Sequence, residues 1–148
     1  MFPFIVREIK IDLWKYYDGD LKYPDLSKHS HIKEVAKVTP KWAFEYAEEH
    51  GINKELEPII AKSAYYSYLY AQDILNGKRF KLGEPTIAKD ADQSLEYALW
   101  ILKKAFPEAE PTIAKYAFTS REYTQLVLKR DFYLDGKLIC EYDEDEDY

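Results

Sequence analysis

Glu57-Pro58-Ile59-Ile60-Ala61-Lys62 returns as Glu84-Pro85-Thr86-Ile87-Ala88-Lys89 and again as Glu110-Pro111-Thr112-Ile113-Ala114-Lys115. A tyrosine follows each copy 12 residues after its proline: Tyr70, Tyr97 and Tyr123. From each tyrosine to the next proline the spacing varies: 12 from Tyr46, 15 from Tyr70 and 14 from Tyr97. The constant half is a packed unit and the variable half a loop, because loops tolerate insertion and packed elements do not. The chain therefore reads as mainly α, a stack of short helix-turn-helix repeats.

Within each copy the proline suits the first helical position, where its fixed φ is pre-organised and its missing N–H costs nothing. The glutamate before it reads as a cap whose charge favours the positive end of the helix dipole. Each copy then starts a helix of one or two turns, and a longer helix follows. Ser63 and Asp90 are N-cap residues by type and place. The longer helices are predicted at Tyr65 to Asn76, Asp92 to Lys104 and Thr119 to Arg130, after a divergent one at Pro40 to His50 capped by Thr39. Aligned on the tyrosine, Ile74 and Leu75, Ile101 and Leu102, and Val127 and Leu128 coincide, at offsets expected to share one helix face. The next residue is always small (Ala47, Ala71, Ala98 or Thr124), as close approach of a neighbouring helix requires. Gly51 and Asn76-Gly77 suit C-terminal caps. Lys33-Glu34-Val35-Ala36-Lys37 reads as a degenerate earlier copy, as terminal repeats that cap a stack often are.

The ends read as β. Trp14 to Tyr23 around Asp18-Gly19, and Asp131 to Tyr142 around Asp135-Gly136, have the form of hairpins with type I′ turns. Phe4 to Ile11 reads as a further strand and Pro24 to His31 as a loop. The division of a single domain is then 1–31 for the N-terminal strand, hairpin and loop, 32–130 for the repeats, 131–142 for the C-terminal hairpin and 143–148 for an acidic tail.

Bulk properties fit a folded body: 148 residues, 47% hydrophobic and 16% aromatic, with 14 tyrosines. A single cysteine, Cys140, excludes an internal disulfide framework and fits a reducing compartment. With no signal-peptide pattern and no run of about 20 apolar residues, a cytoplasmic protein without membrane contact is expected. The net charge of −6 belongs to the tail. Glu141, Asp143, Glu144, Asp145, Glu146 and Asp147 supply six of the 27 acids, which leaves 21 acids against 21 bases in residues 1–140. A nucleic-acid mimic needs its acids spread over a folded face, and a terminal cluster does not supply that. The tail is expected to be flexible from Asp143 on.

Leu75-Asn76-Gly77-Lys78-Arg79-Phe80, Glu96-Tyr97-Ala98 and Phe106-Pro107-Glu108-Ala109-Glu110-Pro111 together resemble a tyrosine-rich short α-helical repeat, with a period of about 26 residues, found in bacteriophage-encoded proteins. The resemblance covers residues 39–130 and departs from the pattern at Lys81-Leu82-Gly83. It implies a phage origin, a non-enzymatic role and residence in the host cytoplasm. By analogy with small phage proteins it also implies an inhibitor or adaptor that diverts a host or defence protein.

The residues themselves point away from catalysis. His29 and His31 read as loop residues, because no second His/Cys pair would complete a metal site. His50 closes a helix, where imidazole favours the dipole. Cys140 lacks a basic neighbour that would activate it. Among five glycines there is no phosphate-cradling loop, and no nucleophile elbow is present. Glu57, Glu84 and Glu110 recur too regularly for an active site. No catalytic residue, metal or cofactor is expected. Two features remain as binding determinants. The pairs Lys78-Arg79, Lys103-Lys104 and Lys129-Arg130, each ahead of a phenylalanine, should align as a basic ridge. Tyr65, Tyr66 and Tyr68 cannot all point inward on one helix, so Tyr65 and Tyr68 stand as interface anchors. The expected partner is a protein, with nucleic acid on the ridge and the tail as its competitor as the alternative.

Overall fold

The computed structural model describes residues 36–146. The N-terminal strand and hairpin, the Pro24 to His31 loop with His29 and His31, most of the degenerate copy before Ala36, and residues 147–148 lie outside the described residues. Helix α1 spans Pro40–His50, opened by Thr39, whose hydroxyl accepts from the Trp42 N–H at 3.1 Å. Three units follow, each a one-turn helix and then a longer one: α2 (Glu57–Ile60) and α3 (Ala64–Leu69), α4 (Glu84–Ile87) and α5 (Ala91–Glu96), α6 (Glu110–Ile113) and α7 (Ala117–Glu122). A 3₁₀ turn at Pro107–Ala109 leads into α6. Strands β1 (Phe132–Leu134) and β2 (Lys137–Cys140) form an antiparallel hairpin. Its turn is the expected one, with both Asp135 (φ 51°) and Gly136 (φ 76°) left-handed. The longer helices stack side by side, and the longer helix of each unit packs on the short helix of the next.

Each longer helix widens as it reaches its tyrosine. Tyr70–Ile74, Tyr97–Leu102 and Tyr123–Leu128 are π-helical, with bonds such as Leu75 N–H to Tyr70 O at 2.9 Å and Lys129 N–H to Thr124 O at 2.8 Å. This corrects the expectation of plain α-helix. At 3.6 residues per turn an offset of five lies about 140° away from the tyrosine. A wide i→i+5 turn brings offsets four and five astride it, and all six aliphatic residues there are buried or packed against the core.

The core is an alternation of the same few groups. Tyr70, Tyr97, Tyr123, Ile60, Ile87 and Ile113 are fully buried, as are Ala71, Ala98 and Thr124. Ser67, Ser94 and Ser120 donate their hydroxyls to the carbonyls of Ile60, Ile87 and Ile113, tying each longer helix to the short helix before it. Phe80, Phe106 and Phe132 meet the rings of Tyr70, Tyr97 and Tyr123 with centroids 4.8, 5.6 and 5.3 Å apart, tilted or edge-on. Phe80 and Phe106 each bridge two tyrosines, the ring on Tyr70 or Tyr97 and the backbone N–H donating to the hydroxyl of Tyr97 or Tyr123 in the next unit. The repeats are thereby locked in series.

The variable spacing also has a location. Six residues past each tyrosine stand Asn76, Lys103 and Lys129, all left-handed at φ 54°, 54° and 51°. Asparagine tolerates that conformation; lysine does so at a cost of about 1 kcal/mol. The first loop then inserts Gly77 (φ 78°), which lengthens it by one residue. Gly83, in the departing Lys81-Leu82-Gly83 loop, is required by close approach: a Cβ there would lie 2.6 Å from Phe80 Cδ1 and from Ser67 Cβ and Oγ.

Candidate interaction surface

The buried glutamates are the first polar groups to place. Tyr70, Tyr97 and Tyr123 donate their phenol protons to Oε1 of Glu57, Glu84 and Glu110, each at 2.9 Å. The same hydroxyls of Tyr97 and Tyr123 accept from the backbone N–H of Phe80 at 2.9 Å and Phe106 at 2.8 Å. Burial first, and the adjacent carboxylate next, push the Tyr70 and Tyr97 hydroxyls well above the usual phenol range. Burial also pushes Tyr123 up, against the Phe106 N–H, which pulls it down, and with the Glu110 charge. The expectation of glutamate caps is corrected: the N-cap places fall to Leu56, Gly83 and Ala109, and each glutamate, the first residue of its helix, anchors a tyrosine 13 residues on. A charge-assisted bond in such a place contributes about 1.5–3 kcal/mol. The glutamate–tyrosine bond recurs in three units, so it belongs to the framework.

Arg79 belongs to this framework rather than to a ridge. Its Nε and Nη2 fork onto Oε1 and Oε2 of Glu84, both at 2.8 Å. The guanidinium, ahead of the Tyr97 hydroxyl, holds the Glu84 carboxyl below the usual range against the opposing effect of burial. The expected alignment of three basic pairs is corrected accordingly. Lys103 and Lys129 occupy the place of Asn76, whereas Lys78-Arg79 lies beyond the inserted Gly77 and Arg79, itself exposed, is engaged by Glu84. Lys78, Lys103, Lys104, Lys129 and Arg130 remain exposed, and no ion pair among the described residues engages them.

The tyrosine pair separates. Tyr65 is 51% exposed and meets Tyr66 edge-on at 5.1 Å; Tyr66 in turn packs on Phe44 at 5.6 Å. Tyr68 is 8% exposed. It occupies the same position as Leu95, facing the next unit, where burial and then the charges of Glu96 and Asp73 raise its pKa. Tyr68 as a surface anchor is thus corrected to a packing residue. The exposed aromatics that sequence reasoning missed are Phe118 (71%), Trp100 (57%), Tyr116 and Tyr133. A signal existed: Phe118 aligns with Tyr65 and Asp92, and Trp100 with Asp73 and Leu126, and a repeat position that holds an aspartate in one unit faces water.

As far as Glu146 the tail meets Gln125 and Arg121 and makes no ion pair with the basic pairs. Gln125 clasps it, Nε2 donating to the Asp143 carbonyl at 2.8 Å and Oε1 accepting from the Asp143 N–H at 3.0 Å. Gln125 also reaches Glu146 Oε2 at 3.1 Å, and Arg121 pairs with Glu146. Residues 143–146, expected to be flexible, are in contact with the last longer helix, where a primary amide satisfies both backbone groups of one residue, as a strand edge would. Cys140 is half-buried and free, and His50 packs on Tyr46 at 4.2 Å.

Among the described residues no cluster of three or more His, Cys, Asp or Glu side chains could hold a metal ion, and no helix is long and apolar enough to cross a membrane. Compared with protein-family models, curated proteins and solved structures, the chain matches none of them.

Proposed function

We propose that this chain is a non-catalytic protein-binding module, acting as an inhibitor or adaptor by covering a surface of its partner. The observation that carries the reading is the set Tyr65, Trp100 and Phe118. These large aromatics stand in solvent on the longer-helix layer of a stack whose own core is filled by other aromatics. Rigid aromatic side chains on a regular helical layer make interface anchors at low entropic cost. The polar network supports the reading from the other side, since each phenol is committed to a glutamate of its own unit. The phage origin and the host or defence partner rest on the repeat resemblance alone.

The test is capture of a partner from bacterial lysate by the immobilised full chain and by a Tyr65→Ser/Trp100→Ser/Phe118→Ser variant. The expected outcome is one partner retained by the wild type and lost from the variant at an unchanged melting temperature. Equal retention by both, or turnover of a substrate by the isolated chain, would reject the reading.

A second reading, nucleic-acid binding, is favoured by the exposed bases Lys103, Lys104, Lys129 and Arg130, none of them in an ion pair among the described residues. Phosphate contacts would make affinity fall steeply with salt. Absence of a DNA or RNA shift at low salt removes it.

A further inference from the structure

Between the C-terminal ends of the second and third longer helices lies an open groove of about 320 Å³, lined by Ala98, Leu99, Leu126, Val127, Lys103 and Lys129. Its floor is aliphatic and its two polar side chains are cations. Neither lysine has an ion-pair partner among the described residues. Both are held left-handed, at φ 54° and 51°, in the position where the first unit uses Asn76 at φ 54°.

That backbone conformation disfavours lysine and suits asparagine. Compensation of the helix dipole does not explain the choice. Lys104 and Arg130 follow directly, lie outside the left-handed region and supply the same charge to the same carbonyl ends. The chain thus twice keeps a costly lysine where asparagine would serve, and both copies line one groove. A strained residue retained at a surface cleft points to a ligand. The corresponding positions at the first junction hold Gln72 and Asn76 in place of Leu99 and Lys103, so aliphatic floor and paired charge occur together at the second junction only.

We propose that this groove takes an acidic peptide segment of a protein partner, its aliphatic side chain on Leu99 and Leu126 and its carboxylates on Lys103 and Lys129. The proposal deepens the protein-binding reading and uses the opposite end of the longer helices from Tyr65 and Phe118. Charge complementarity selects the acid. The aliphatic lining selects peptide over single-stranded nucleic acid, whose bases stack on aromatic faces that this groove does not offer.

The test is fluorescence anisotropy of a labelled peptide of alternating aspartate and leucine, titrated with the full chain at about 50 mM salt, where exposed charge pairs are weakly screened. Lys103→Asn/Lys129→Asn preserves the backbone the first unit already uses, so its melting temperature should not fall. Affinity should drop about tenfold or more in that variant, and comparably in Leu126→Ser or when serine replaces leucine in the peptide. An oligothymidylate of equal charge should bind more weakly than the peptide. Equal affinity of wild type and the lysine variant, indifference to serine for leucine, or preference for the oligothymidylate overturns the proposal. So does concentration-dependent dimerisation that the lysine variant abolishes, which would make a second copy the occupant. Partner capture that needs Tyr65 and Phe118 but survives Lys103→Asn/Lys129→Asn rejects the groove while leaving the protein-binding reading standing.

Discussion

The second and third units share Glu-Pro-Thr-Ile-Ala-Lys, the buried tyrosine and the serine that ties their helices, yet they are finished differently. The second has Asp90 at its N-cap, accepting from Gln93 N–H at 3.0 Å, and Arg79 forked on Glu84. A unit flanks it on both sides. The third has Tyr116 at the N-cap, with no side-chain bond, and no arginine on Glu110. Its outer face meets a hairpin and a tail. What the two keep in common is the set of groups that touch within a unit. What they vary depends on the neighbour: β2 packs on α7 where a short helix would follow, and Phe132 takes the place on Tyr123 that Phe106 takes on Tyr97. The hairpin is a repeat's inner edge made from β-structure, and it covers Tyr123 at the end of the stack while leaving its own Tyr133 and Leu138 exposed.

The sharpest way to break that comparison is Phe132→Ala beside Phe106→Ala. Both rings are almost fully buried, and truncation of a buried phenylalanine costs about 3–5 kcal/mol. If the hairpin is a true substitute for a repeat, urea unfolding gives similar losses for both variants. A loss below about 1 kcal/mol for Phe132→Ala alone would mean that the hairpin merely covers the end.

Tyr97→Phe and Tyr123→Phe probe the shared part. Each removes a donor to glutamate and orphans the N–H of Phe80 or Phe106, a cost of about 1–3 kcal/mol. The two values should agree closely; a much smaller value for Tyr97→Phe would show that Arg79 alone satisfies Glu84. The same groups predict alkaline sensitivity. The three tyrosines have folded pKa values raised above 10.0, so their contribution is intact below pH 10 and is lost as pH rises past it. With three protons released on unfolding, stability should decline by up to about 4 kcal/mol per pH unit there. A flat profile of unfolding free energy between pH 10 and 11 would contradict the buried network.

Acid should separate the second unit from the others. The Glu84 carboxyl is depressed, chiefly by the Arg79 bonds, so its contribution is present above about pH 4.5 and is lost as pH falls through the lower folded value. Arg79→Gln should remove part of the acid-side slope and leave the alkaline side unchanged. The measurement is unfolding free energy from pH 2 to 6.

The smallest expected effects lie at the caps. Asp90→Ala should destabilise by about 1 kcal/mol and Tyr116→Asp should stabilise by a similar amount, since a capping side chain satisfies an N–H at the helix start. Opposite shifts in melting temperature check both; a loss on Tyr116→Asp would assign Tyr116 a packing role that its exposure does not show.

Much of this architecture is written in spacing. The 12 residues from proline to tyrosine fix the unit, the 26 residues between Phe80, Phe106 and Phe132 fix the series, and Asp135-Gly136 fixes the hairpin turn. Such features are local or periodic, so chain geometry alone enforces them. The sequence likewise determined that residue 71, 98 or 124 must be small, because any larger side chain there would meet the neighbouring helix. Tertiary structure decided the rest. That Glu57, Glu84 and Glu110 hold tyrosine hydroxyls, that Arg79 forks onto Glu84, that Tyr68 is buried while Phe118 is not, and that Gln125 clasps Asp143 all depend on which surfaces meet in space. A side chain's burial and partners belong to the pair of surfaces that meet, and spacing along one strand of sequence specifies only one of the two.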